Sequence, residues 1–130
     1  FRPDFLMLRT LTYYKDFFVD VVAECRKLFP DVPIVAGGPH PTIDPEDCLC
    51  RAGVDVCVIG EGEIICGELV GQMLEEGQFP DTQMLQNIKG VAFRSDGQIH
   101  PKAVVPNGKK ATYARYPLWV RAGTEKAVNV

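Results

Sequence analysis

The stretch VPIVAGGPHPTIDPEDCLCRAGVDVCVIGEGE, Val32 to Glu63, carries two short apolar runs, and each ends in glycine just before a helix start. The first, Pro33–Ala36, closes on Gly37-Gly38; the second, Asp55–Ile59, closes on Gly60-Glu61-Gly62-Glu63. Short apolar runs without polar alternation suit strands buried on both faces, as in a parallel sheet. Between them, Asp44 reads as an N-cap, Pro45 as the first helical residue and Gly53 as the stop; Asp47 follows three residues after the cap.

The same rhythm extends to both sides. Upstream, Phe5–Leu8 is another unbroken apolar run. It precedes KDFFVDVVAECRKLFP (Lys15–Pro30), where Phe17, Phe18, Val21, Val22, Cys25 and Leu28 recur at helical spacing. Downstream, Glu61–Gln78 reads as a helix with Ile64, Ile65, Leu69, Val70, Met73 and Leu74 on its apolar side and Gly77 as its end. Asp4 to Gly77 is therefore β-α-β-α-β-α, which implies an α/β fold with a parallel sheet and flanking helices. Lys89–Val105 then reads as a β-hairpin turning at Ser95-Asp96-Gly97, and residues 106–130 as a tail or linker without a clear period.

Composition sets the outer limits. The chain has 130 residues, enough for one domain with a real core, and a net charge of -3, which argues against a general nucleic-acid binder. No apolar run is long enough to span a bilayer, and no secretory signal is visible. Five cysteines without such a signal read as reduced thiols of a cytoplasmic protein. Cys25, Cys57 and Cys66 sit in apolar patterns, and the lone Cys48-Leu49-Cys50 lacks the second pair of a zinc site. No metal ligand and no catalytic residue is nominated.

The glycines fall where an open parallel sheet binds ligands, outside the carboxyl ends of its strands. Without a Cβ, Gly37, Gly38, Gly60 and Gly62 let a ligand approach the backbone; equally, they make tight strand-to-helix turns. The pattern is neither G-x-G-x-x-G nor a P-loop. Glu61 and Glu63 at the helix start favour a large, mostly neutral ligand over a phosphate at that point.

Four segments carry a family resemblance: PDFLMLRTLTYY (Pro3–Tyr14), FPDVPIVAGGPHPTIDPED (Phe29–Asp47), GVDVCVIGEGE (Gly53–Glu63) and IKGVAFRSDGQI (Ile88–Ile99). Together they resemble the cobalamin (B12)-binding domain that precedes the catalytic barrel in many radical S-adenosylmethionine (SAM) enzymes. The Mg-protoporphyrin monomethyl ester oxidative cyclases and many Fe-S oxidoreductases are of this kind. The resemblance covers roughly Arg2 to Val105, making 1–105 a partial binding domain.

The resemblance implies a Rossmann-like (flavodoxin-like) sheet whose strand ends cover one face of the corrin and enclose its nucleotide tail. Gly37 and Gly38 match the glycine pair that lets the tail pass. Arg9, Thr10 and Leu11 stand at the family's Ser-x-Leu, and Gly60, Glu61, Gly62 and Glu63 match its GEGE loop. Pro39 and His40 follow the glycine pair, His40 as a polar contact to the corrin rim or a plain exposed loop residue. Glu61 and Glu63 either accept hydrogen bonds from corrin amides or cap the helix. His100 is expected to be exposed, and Tyr13 and Tyr14 to pack in the core.

The chain departs from the family at three points. Arg9 replaces the usual serine, the Asp-x-His-x-x-Gly loop is absent, and so is C-x-x-x-C-x-x-C. A 4Fe-4S cluster and SAM would then belong to another part of the parent, whose radical SAM barrel is the expected partner. Two further strands of the family are expected to be missing, one of them lying between the first strand present here and the other two. Either those strands then pair directly or edges that should be internal are left open, and such edges point to a homodimer. The alternative is a degenerate interaction module on the same fold that no longer takes the cofactor.

Overall fold

The computed structural model describes residues 1–100; the expected tail, and the part of the hairpin beyond His100, lie outside them. Strands β1 (Leu6–Arg9), β2 (Ile34–Gly37) and β3 (Val56–Val58) pair in parallel, in that order. The hairpin is not an appendage. Its strand β4 (Val91–Ser95) joins the sheet antiparallel to β3, and β5 (Gln98–His100) follows on β4. The result is one five-stranded mixed sheet in the order β1-β2-β3-β4-β5.

The strand order decides between the two expected arrangements. The first strand pairs directly with the second, Leu6 to Arg9 registering against Ile34 to Gly37. Among the described residues, β1 and β5 are the two edge strands of the sheet.

Alternation along β2 explains why its sequence is apolar throughout. Ile34 and Ala36 enter a core with Phe18 and Val22 of α1 (Lys15–Leu28), Cys48 and Leu49. Val35 enters a second core on the opposite face with Val56, Val58 and with Ile65 and Leu69 of α3 (Gly62–Glu76). A short helix α4 (Thr82–Leu85) closes that second layer with Leu85, and Asp81 caps it by accepting the Met84 N–H at 2.9 Å. A strand covered on both faces has no solvent side on which a polar residue would be favoured.

The segment between β2 and β3 is more compact than a single helix. Helix α2 (Pro39–Ile43) begins immediately after the glycine pair, and a π-helical turn (Asp47–Ala52) follows it. Asp44 does cap, its carboxylate accepting the Asp47 N–H at 3.0 Å, and Gly53 ends the turn in a left-handed conformation. At the base of the sheet, Asp55 accepts the Ile34 N–H at 2.7 Å and pairs with Arg26, which also donates to the Val32 carbonyl at 2.8 Å. These contacts fix where β2 starts, and hence where its glycines emerge.

Two helical faces are less buried than their periodicity suggests. On α1, Phe18 and Val22 are buried while Phe17 is 67% exposed. On α3, Ile65 and Leu69 are buried while Ile64 and Leu74 are exposed. Tyr13 and Tyr14, expected in the core, are exposed and stack edge-to-face on each other with ring centroids 5.1 Å apart. His100 is half-buried, its ring stacked on Phe93 at 5.5 Å.

Candidate functional site

A cleft of about 570 Å³ opens at the carboxyl ends of the three parallel strands, on the α3 side of the sheet. Its apolar walls include Met7, Val58 and Ile43. Both glycine loops line it, through Gly37, Gly38 and Pro39 on one side and Gly60, Glu61, Gly62 and Glu63 on the other. Arg9 completes the rim from β1. Eight of the eleven residues singled out from the sequence therefore meet in one place.

The remaining three lie elsewhere. Thr10 and Leu11 face a larger, apolar groove of about 830 Å³ over α1, on the other side of β1, which receives none of the glycines. Thr10 is buried, and its backbone links the loops: its N–H donates to the Gly37 carbonyl at 3.1 Å and its own carbonyl accepts the His40 N–H at 3.3 Å. His40 is only 1% exposed, so it is neither a rim contact nor a plain loop residue. Its Nε2 meets Asp47 at 2.8 Å.

His40 belongs to a polar strut behind the loop. Arg51 donates to Asp47 and also, at 2.9 Å, to Asp16 near the start of α1. The Arg51 guanidinium, with a smaller contribution from His40, outweighs partial burial and lowers the Asp47 pKa to about 2. A depressed carboxylate pKa stabilises the fold above its ordinary value, and that stabilisation disappears as pH falls through the folded-state value. The stability advantage of the wild type over Asp47→Asn should therefore be complete above 3.8 and shrink towards pH 2, in urea unfolding followed across that range.

Sequence reasoning missed Thr42, which ties the two glycine loops together. Its hydroxyl donates to the Gly38 carbonyl at 2.8 Å and accepts the Gly60 N–H at 2.9 Å. The signal was present, since Thr42 ends the GGPHPT segment. A buried hydroxyl that both donates and accepts fixes the spacing of the two loops it joins.

Gly38 and Gly60 have φ of +103° and +87°, so both turns require a left-handed backbone that other residues adopt at a cost. Gly37 is different. A Cβ added there meets only Val58, at 4.0 Å, so the absence of a side chain serves the open space of the cleft. Glu61 occupies the N-cap position of α3, yet its side chain makes no capping bond. Cys66 lines the cleft and donates its thiol to the Met7 sulfur at 3.6 Å; burial pushes its pKa up, so it is a thiol at neutral pH.

Comparison with known proteins agrees with this geometry. A family model described as the B12 binding domain matches residues 1–70. An uncharacterised methyltransferase of Pyrococcus horikoshii is 29% identical over an alignment covering 91% of this chain and 25% of that protein. Among solved structures, the radical S-adenosylmethionine methyltransferase TsrM from Kitasatospora setae, with cobalamin and a 4Fe-4S cluster bound, superposes with a TM-score of 0.63 at 23% identity, covering 85% of this chain and 21% of that one. TsrM with tryptophan substrate and a SAM analogue gives 0.63 at 21% identity, covering 76% and 19%. The chain thus spans about a quarter of the curated relative and a fifth of the solved enzyme.

Proposed function

The chain belongs to the B12-binding domain family, and from that premise we propose that its cleft receives the nucleotide-bearing arm of cobalamin. The observation that carries the reading is the convergence of the two glycine loops, cross-tied by Thr42, at the carboxyl ends of β2 and β3. The residues suit the group. Gly37 leaves backbone bare towards the cleft, and Met7, Val58 and Ile43 give it apolar walls. The volume, about 570 Å³, matches a drug-sized portion of a ligand, so the corrin itself would rest outside, over the strand ends.

In this reading Arg9, Gly37, Gly38, Pro39, Gly60, Glu61, Gly62 and Glu63 contact the cofactor, and Glu61 and Glu63 accept hydrogen bonds from its amide groups. Thr10 and His40 act from behind by holding the loops, and Leu11 faces the groove over α1. Cobalamin, when bound, supplies a cobalt that carries and releases a methyl group. The domain is non-catalytic alone and serves a radical SAM barrel in the parent enzyme. The relative from Pyrococcus horikoshii and TsrM are both methyltransferases, which favours a methyltransferase parent. We take residues 1–105 as the binding unit and 106–130 as a tail or linker.

Five unpaired thiols support a reducing, cytoplasmic setting. Among the described residues, no helix is long and apolar enough to cross a membrane. Among the described residues no strand pairs with the outer edge of β1, which lies beside exposed Met7, Tyr14 and Phe17 and supports pairing with a second copy. Light scattering coupled to size exclusion should give twice the chain mass of 14.4 kDa; a monomer at every concentration would remove the dimer from this reading.

Titration with hydroxocobalamin tests the binding itself. The visible spectrum should shift with saturation, and the corrinoid should co-migrate with the protein on desalting. An unchanged spectrum with free corrinoid in the salt fraction would favour the degenerate interaction module.

A further inference from the structure

Arg9 stands beside the glycine pair with no charged partner among the described residues. It registers against Gly37 in the β1–β2 pair, and its stem crosses Gly38: a Cβ built on Gly38 would lie 2.9 Å from the Arg9 Cγ and 3.5 Å from its Nε. The missing side chain of Gly38 is therefore the notch in which Arg9 is seated. The guanidinium takes part in none of the hydrogen bonds or ion pairs formed among the described residues, whereas Arg26 and Arg51 are both paired. Glu61 and Glu63 line the same cleft, yet neither lies within the 4.0 Å that defines an ion pair with Arg9.

A guanidinium offers a planar fork of donors that matches a phosphate in shape and charge. Cobalamin carries one anionic group on its lower arm, the phosphodiester that links the nucleotide to the corrin side chain. We infer that Arg9 binds this phosphodiester, and that the cleft thereby selects complete cobalamins over corrinoids lacking the nucleotide loop. The inference rests on the proposed cobalamin reading. It puts the anion at the Gly38 end of the cleft, away from the two carboxylates at the start of α3. It also gives the arginine at the serine position a function of its own, in place of an obstruction.

Three corrinoid probes separate the outcomes: hydroxocobalamin, cobinamide, which has neither phosphate nor base, and cobinamide phosphate, which has the phosphate alone. Spectral titrations of wild type, Arg9→Gln and Arg9→Lys give the affinities. Losing a charge-assisted bond should lower the cobalamin-to-cobinamide affinity ratio by about tenfold in Arg9→Gln, with the same loss for cobinamide phosphate. Arg9→Lys, which keeps the charge without the fork, should fall between the two. An unchanged ratio in Arg9→Gln overturns the inference while leaving the cobalamin reading intact. A loss seen with cobalamin but not with cobinamide phosphate overturns it too, since Arg9 would then be meeting the base. If the wild type takes up none of the three corrinoids, the reading fails and the inference falls with it.

Discussion

Gly37→Leu is expected to abolish cobalamin uptake while leaving the fold in place. Gly37 ends β2 with an ordinary backbone conformation, and the nearest atom to an added Cβ is Val58 Cβ at 4.0 Å, an ordinary contact. A leucine can therefore be built there without strain, and its branched end would occupy the cleft between Arg9 and the Gly60–Glu63 loop. Filling the space meant for the nucleotide arm should weaken binding by roughly a hundredfold or more, about 2.8 kcal/mol. The same spectral titration reads the affinity, and a thermal melt should stay within a few degrees of wild type. A variant that binds cobalamin as tightly as wild type would mean that the ligand does not enter beside Gly37.

Gly38→Ala should fail in a different way, by unfolding sooner. Its φ of +103° with ψ of -169° is a backbone conformation almost reserved for glycine, a strain of about 1–3 kcal/mol for alanine. The new Cβ would also meet the Thr10 carbonyl oxygen at 3.0 Å and the Arg9 Cγ at 2.9 Å. The Arg9 side chain can move aside, but the carbonyl cannot do so freely, because it accepts the His40 N–H. The total should be about 2–3 kcal/mol, which for a domain of this size lowers Tm by on the order of 10 °C or more. Calorimetry on the two single variants distinguishes their roles. A Gly38→Ala melt matching wild type would show that the turn does not need its left-handed residue.

The parts of the fold legible in the sequence were those written in local pattern. Three unbroken apolar runs became the three parallel strands, because residues such as Ile34 and Val35 are buried on opposite faces of one sheet. The glycines at the strand ends were legible for the same reason, since a left-handed turn leaves few other choices at Gly38 and Gly60. What depends on pairing across the chain was not legible. Nothing in the hairpin segment shows that Val91 to Phe93 register antiparallel against Val58 to Val56. Periodicity placed Phe17 with Phe18, although a helix on a sheet buries only the side that touches it.

The site divided along the same line. The rim was visible as a motif, while its supports were not, because they are held by contacts between segments distant in sequence. His40 looked like a loop residue between two prolines, yet Asp47, Arg51 and Asp16 draw it inward. Thr42 stood ahead of the expected N-cap Asp44 with no role assigned, yet it joins two loops that are 22 residues apart, from Gly38 to Gly60.

The most direct test of where cobalamin binds is the chemical labelling of two cysteines in one sample. Cys66 lines the cleft, whereas Cys50 is exposed on the π-helical turn and lines none of the cavities described. Alkylation with a small maleimide, followed by peptide mass spectrometry, gives a rate for each thiol with and without saturating hydroxocobalamin. Cofactor in the cleft should slow alkylation of Cys66 severalfold and leave Cys50 unchanged. Equal rates at Cys66 with and without bound cobalamin would contradict the assignment of this cleft as the cofactor site.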